Sequence, residues 1–210
     1  MRPILTTLAM SLTLCFLSTN VFADEQTRNV SSFNTINTQS ACKIIVEVGK
    51  TQSITLRGDT QFIEKFSTIV VGNELVISDK SKRLKITDAD QIIITVPELK
   101  KFNFQGAGST KLNNLNSDNF ELLYEGAGSL TANGKVSHLT IRSQGVGSID
   151  TKDVIAKEVD VRGEGIGSIN VTAIEKLNAT LQGIGSLTYY GHPRTISKSV
   201  EGIGSIKAGD

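Results

Sequence analysis

With 210 residues the chain has room for one domain with a sizeable core, or two small ones. Tryptophan is absent and only 8 Phe and 3 Tyr are present, so a core must come from Ile, Val and Leu; 19 Gly against 3 Pro suit repeated tight corners rather than disorder. The charge balance, 22 basic against 21 acidic side chains, argues against nucleic acid or an anionic membrane surface as the main partner.

The N-terminus has the layout of a secretory signal: Arg2, an apolar run from Ile4 to Phe22, then Val21-Phe22-Ala23 before Asp24. The run approaches bilayer-spanning length, so a membrane anchor is the competing reading. Val21 and Ala23 occupy the small-residue positions of a cleavage site, which favours removal of residues 1–23. Leu14 is too large to precede a lipidated Cys15. Arg2 is the only charge removed, so the mature chain carries 21 basic and 21 acidic side chains. It retains only Cys42, hence no intrachain disulfide, and no later apolar run long enough to span a bilayer. The expected location is therefore the periplasm, the cell surface or the medium.

Residues 24–32 are polar and expected to be a loose leader. Strand signals come next. Cys42, Ile44, Val46 and Val48 alternate with Lys43, Ile45 and Glu47, ending at Gly49, and Ser53 to Arg57 is a second strand. Asp59 is placed to cap one helical turn from Thr60 to Phe66. Ser67 to Val71 and Leu75 to Ser78 flank Gly72-Asn73, a hairpin signal. Leu84 to Thr87 and Gln91 to Val96 complete this half, and Pro97 ends it. Residues 24–98 thus read as a β-rich segment capping a repeat region over 99–210.

From residue 99 a motif recurs six times: Gly106-Ala107-Gly108-Ser109, Gly126-Ala127-Gly128-Ser129, Gly145-Val146-Gly147-Ser148, Gly165-Ile166-Gly167-Ser168, Gly183-Ile184-Gly185-Ser186 and Gly202-Ile203-Gly204-Ser205. The first glycines are 20, 19, 20, 18 and 19 residues apart, a period that marks a repeat array stacking one supersecondary unit per copy. Six residues before the first glycine stand Lys100, Phe120, Leu139, Val159, Leu177 and Ile196; four before it, Phe102, Leu122, Ile141, Val161, Ala179 and Lys198; four after it, Thr110, Leu130, Ile149, Ile169, Leu187 and Ile206. They share one parity and are expected to face the core. Directly before the glycine, on the other parity, Gln105, Glu125, Gln144, Glu164, Gln182 and Glu201 alternate strictly. Rungs stacked about 4.8 Å apart would set like charges against each other, and interposed amides relieve this. Asn113-Asn114, Asn133-Gly134 and Gly191-His192-Pro193 mark turns, giving two or three short strands per repeat.

No pattern selects a catalytic or metal centre. A phosphate-binding glycine loop needs a following helix with Lys-Ser/Thr or a distal acid, and here strand signals follow each motif. Calcium repeats have a period of about nine with an Asp after the glycines, where this chain has Ser. His138, His192 and Cys42 lack ligand spacing. Six equivalent serines form a ladder more readily than one nucleophile. Arg142 and Arg162, one repeat apart, are expected to pair with Glu125, Glu164 or Asp160. Acids for a polysaccharide-cleaving site could come from Asp150, Asp153, Asp160 and Glu164. No cofactor is expected.

The repeated Gly-x-Gly-Ser-Ile/Leu rungs, the secretory signal, and a β-rich half ending in Ile94-Thr95-Val96-Pro97-Glu98-Leu99 resemble the head GIN domain family. These are bacterial exported proteins described as adhesin heads by likeness to autotransporters. The resemblance covers about Phe33 to Ile206 and implies an all-β, right-handed parallel β-helix over 99–210, agreeing with the crossover rule for parallel strands. It implies no catalytic residues. The expected function is an exported, non-enzymatic binding module using its outer face; a carbohydrate-active enzyme and a structural or assembly component are the alternatives. The residue inside each motif runs Ala107, Ala127, Val146, Ile166, Ile184, Ile203, which by parity forms an outward apolar stripe. The candidate contact face comprises Val146, Ile166, Ile184 and Ile203 with Gln144, Glu164, Gln182, Arg142 and Arg162. The candidate partners are a second copy, another envelope protein or a surface glycan.

Overall fold

In a computed structural model, which describes residues 24–79, 87 and 89–210, nine strands and one short helix make up the regular structure. The expected signal segment 1–23 and all of the expected Leu84–Thr87 strand except Thr87 lie outside the described residues. No helix among the described residues is long and apolar enough to cross a membrane.

Alternation builds the early strands. β2 (Thr35–Ala41), β3 (Lys43–Val48), β4 (Ser53–Gly58) and β7 (Gln91–Val96) bury alternate residues, among them Ile36, Ile44, Val46, Ile54, Leu56, Ile92 and Ile94. Gly72, with φ 62°, and Asn73 close the hairpin of β5 (Phe66–Val71) and β6 (Glu74–Asp79), pairing Val71 with Glu74. α1 (Thr60–Lys65) is capped by Asp59, whose Oδ1 accepts from the Phe62 amide at 2.6 Å, and it buries Phe62 and Ile63. The polar leader is not loose. Asp24–Arg28 forms β1, antiparallel to β4, because an edge strand needs backbone partners rather than an apolar face. Arg57 secures it through Glu25 at 2.7 Å.

The first five motifs lie in one unbroken strand, β8 (Lys101–Tyr190), rather than in two or three strands per repeat. Extended, its 90 residues would reach about 300 Å. Instead it turns back beside itself, bringing Gly126 against Gly106, Gly145 against Gly126, Gly165 against Gly145 and Gly183 against Gly165. Two of its bends use positive φ at the expected places, Asn114 at 61° and Gly134 at 138°. Gly191 and His192 then separate it from β9 (Thr195–Ala208), which pairs in parallel with the end of β8, Gln182 opposite Glu201 and Ile184 opposite Ile203.

The strand pairing corrects the expectation of a right-handed parallel β-helix. The fold is all-β, but its strands form one nine-stranded sheet in the order β1-β4-β7-β3-β8-β2-β6-β5, with β9 on β8, and the sheet mixes orientations. β1–β4, β4–β7 and β5–β6 are antiparallel; β3–β7, β3–β8, β2–β6, β2–β8 and β8–β9 are parallel. Hairpin turns such as Gly72-Asn73 reverse the chain, so an all-parallel stack cannot describe it. The two ends of the order come back together. Arg28 at the end of β1 donates to the Ile63 and Phe66 carbonyls at 2.5 Å each and to Thr68 Oγ1 at 3.2 Å on β5. The sheet is thus nearly closed as a barrel. The motifs are bends within it, not separate coils of a solenoid.

The core lies inside this curl. Phe102, Leu122, Ile141, Val161 and Ala179 form one buried column, Leu130, Ile149, Ile169 and Leu187 another. Phe104 and Tyr124 stack with ring centroids 5.1 Å apart.

Candidate functional site

The motif's glycines are required by the bend. Gly183 has φ 115°, and a Cβ there would overlap the carbonyl oxygen of Gly165 on the neighbouring rung; a Cβ on Gly126 would overlap that of Gly106. Close approach and positive φ act together at these corners. The residue between the two glycines stands on the outside of the bend. Val146 is 54% exposed, Ile166 53%, Ile184 50% and Ile203 75%. Ile184 and Ile203 are Cα partners, and the glycine-on-glycine register extends the column through Ile166 to Val146. Four β-branched side chains therefore form one apolar column in water.

Beside it runs the amide–carboxylate ladder. Gln105 Nε2 donates to Glu125 at 3.1 Å, Gln144 to Glu164 at 3.0 Å and Gln182 to Glu201 at 2.7 Å. Each carboxylate receives an amide from the preceding rung, so no two acids are adjacent. Arg162 joins the pairs, donating from Nε to Glu164 at 2.6 Å and from its terminal nitrogen to Gln182 Oε1 at 3.3 Å. Arg142 makes no hydrogen bond or ion pair among the described residues and borders a shallow hollow with Leu123, Glu125, Gln144, Arg162 and Glu164. The pairing expected for both arginines holds for Arg162 alone. Of the serine ladder, Ser168 Oγ donates to Ser148 Oγ at 3.1 Å.

All nine candidate residues thus lie on the outer side of β8 and β9: the four apolar ones at the bend, the five polar ones on the adjoining rungs. Sequence reasoning missed a seventh rung. β2 pairs with β8 so that Gln39 faces Gln105, Ser40 faces Gly106 and Ala41 faces Ala107. Ser40 and Cys42 stand where glycines would. Among the described residues the β2–β6 register ends at Gln39 opposite Ser78, and Ser40 is itself buried, its hydroxyl 2.8 Å from that of Thr38. The Gln-x-Ala spacing was the available signal. Cys42 is buried, and burial raises its thiol pKa to about 11.

Among the described residues no group of three His, Cys, Asp or Glu is arranged to hold a metal. His138 Nε2 lies 3.9 Å from Glu158 on an exposed surface. Glu164, one of the four acids considered for a sugar-cleaving site, is held by Gln144 and Arg162 rather than set against a second acid.

The family model described as "Putative auto-transporter adhesin, head GIN domain" matches residues 32–193. Among solved structures, a putative adhesin from Bacteroides fragilis is 26% identical over 88% of this chain and 96% of its own, with a TM-score of 0.74. A putative lipid binding protein from Parabacteroides distasonis is 21% identical, covering 91% and 98%, with a TM-score of 0.45. A putative adhesin from Parabacteroides merdae is 15% identical over 91% and 98%, also at 0.45. No curated protein matches the chain.

Proposed function

The chain belongs to the head GIN domain family of putative auto-transporter adhesins, and from that premise we propose that it is an exported, non-enzymatic, adhesin-like module of the cell envelope. Its contact face is the apolar column Val146, Ile166, Ile184 and Ile203, flanked by Gln144, Glu164, Gln182, Arg142 and Arg162. The partner is the surface of another envelope protein. The observation carrying this reading is the exposure of four β-branched side chains in one column. Such side chains are ordinarily buried, and a contiguous outward patch of them on a folded domain marks a contact surface. The ladder beside it holds its own hydrogen bonds, so the face is rigid before docking and little ordering entropy opposes binding. Family and neighbour descriptions name adhesion and no reaction, which supports binding over catalysis.

The test compares retention of the purified protein on isolated envelopes before and after protease or periodate treatment. The expected result is protease-sensitive retention that Ile184→Asp abolishes while the unfolding midpoint stays unchanged. Periodate-sensitive retention would transfer the partner to a glycan. A stripe variant that binds normally, or one that unfolds instead, would remove the column from the contact face.

A further inference from the structure

β9 lies at one edge of the sheet among the described residues. Among the described residues it pairs only with β8, so one whole edge of a 14-residue strand offers unpaired backbone donors and acceptors. The interior columns have their last described rung there as well. Ile196 and Val200 are each 41% exposed, although their column neighbours one rung back, Leu177 and Leu181, are 0% and 6%. Proteins seldom leave so long an edge uncovered. The other end of the sheet order is built differently, from antiparallel β4, β1 and β5, with α1 burying Phe62 and Ile63 and Arg28 joining β1 to β5.

We propose that the β9 edge takes the β9 edge of a second copy of this chain, antiparallel, about a two-fold axis at Gly204. The asymmetry of the ends selects this occupant. Head-to-tail addition needs a matching parallel edge at the far end and would grow without closing, whereas tail-to-tail pairing closes as a dimer. The strand's own charges fit it. Reversing β9 about Gly204 sets Glu201 opposite Lys207 and Val200 opposite Ala208, and brings Asp210, two residues past the end of the strand, toward Lys198, each pair occurring twice. Residues directly opposite in an antiparallel pair share a face, so Glu201 and Lys207 would be neighbours in this arrangement. Lys198 sharpens the choice. Its ammonium lies 5.2 Å from the Tyr189 ring centroid, in the column where earlier rungs carry Val161 and Ala179. An inward lysine at a sheet edge rejects an arbitrary apolar strand. The reversed copy answers it with a carboxylate. A two-fold through the bend at Gly202–Gly204 also exchanges the two arms of the bent strand, so both edges keep the same curvature. Because it uses a backbone edge rather than the apolar column, the dimer stands independently of the proposed function.

The exported protein is studied by sedimentation across a hundredfold concentration range, with Glu201→Lys, Lys207→Glu and the double variant alongside. A reversible dimer is expected for the natural chain. Each single reversal sets like charges opposite at two places and should weaken the dimer about tenfold or more. The double variant restores it. Because Glu201 also accepts from Gln182, the unfolding midpoint of each variant is measured at dilution, where the monomer dominates; a normal midpoint with lost dimer supports the edge. A natural chain that stays monomeric throughout overturns the proposal. So do single variants that dimerise normally, and a double variant that fails to recover.

Discussion

At the scale of single residues, the motif's glycines and the residue at Ser40 differ in what lies beside them. A Cβ on Gly126 meets the Gly106 carbonyl, whereas Ser40, registered against Gly106, already carries a buried side chain that contacts Thr38 and Cys42. Gly126→Ala should therefore destabilise strongly, by about 3 kcal/mol or more, because both strain and overlap must be relieved. In a chain of this size that is roughly a 10 °C fall in unfolding midpoint. Ser40→Ala, which loses only the Thr38 and Cys42 contacts, should cost about 1 kcal/mol. Equal losses in calorimetry would refute the close-approach account. Cys42 supplies a pH test. Its folded pKa of about 11 lies above the ordinary 9.0, so the folded chain holds the proton more tightly. That contribution is complete below pH 9 and is lost as pH rises toward 11. Cys42→Ala should flatten the alkaline part of the stability profile, and the native thiol should resist alkylation at about pH 8 until the chain unfolds.

At the scale of elements, the ladder of Gln and Glu is a register device. Shifting one rung by a single residue would bury the charged column and expose the core. Gln144→Glu removes the donor to Glu164 and sets a third carboxylate between Glu125 and Glu164. A loss of roughly 0.2–1 kcal/mol is expected, shrinking as salt is added. An unfolding midpoint unchanged at low ionic strength would mean that these side chains contribute nothing to register. This ladder was legible in the sequence because alternation and a fixed period act locally. So were β3, β4, β7, the Gly72-Asn73 hairpin and the Asp59 cap, each set by neighbouring residues. β1 and β2 were not. β1 is a polar edge strand held by pairing with β4, and β2 carries Ser40 and Cys42 where the visible motif has glycine. The outward parity of Val146, Ile166, Ile184 and Ile203 could be read, whereas the free Arg142 and the paired Arg162 could not, since both stand three residues before a motif glycine.

At the scale of the whole molecule, strand direction was the hidden quantity. Periodicity reports which residues share a face and is silent on whether distant strands run parallel or antiparallel, so six visible rungs suggested an all-parallel stack. The mixed sheet arises in the half without the motif, where hairpins reverse the chain and Arg28 draws β1 against β5. That side chain is the decisive point of closure. It reaches the Ile63 carbonyl of α1 and the Phe66 carbonyl and Thr68 hydroxyl on β5, so one guanidinium ties the end of β1 to both neighbouring elements. Arg28→Met keeps much of the stem and removes every donor. Charge-assisted bonds to carbonyls are worth about 1.5–3 kcal/mol, but partly hydrated acceptors recover some of this, so a net loss of about 2 kcal/mol is expected. Arg28→Lys should recover little, because a single ammonium cannot span the fork. The loss should also be local. Hydrogen exchange should quicken first in β1, α1 and β5, while the β8 amides around Leu122 and Ile141 keep their protection. Since the main acceptors are neutral carbonyls, added salt should change the loss only slightly. If exchange instead rose evenly across β8, closure would be a property of the entire sheet and Arg28 only one of its many contacts.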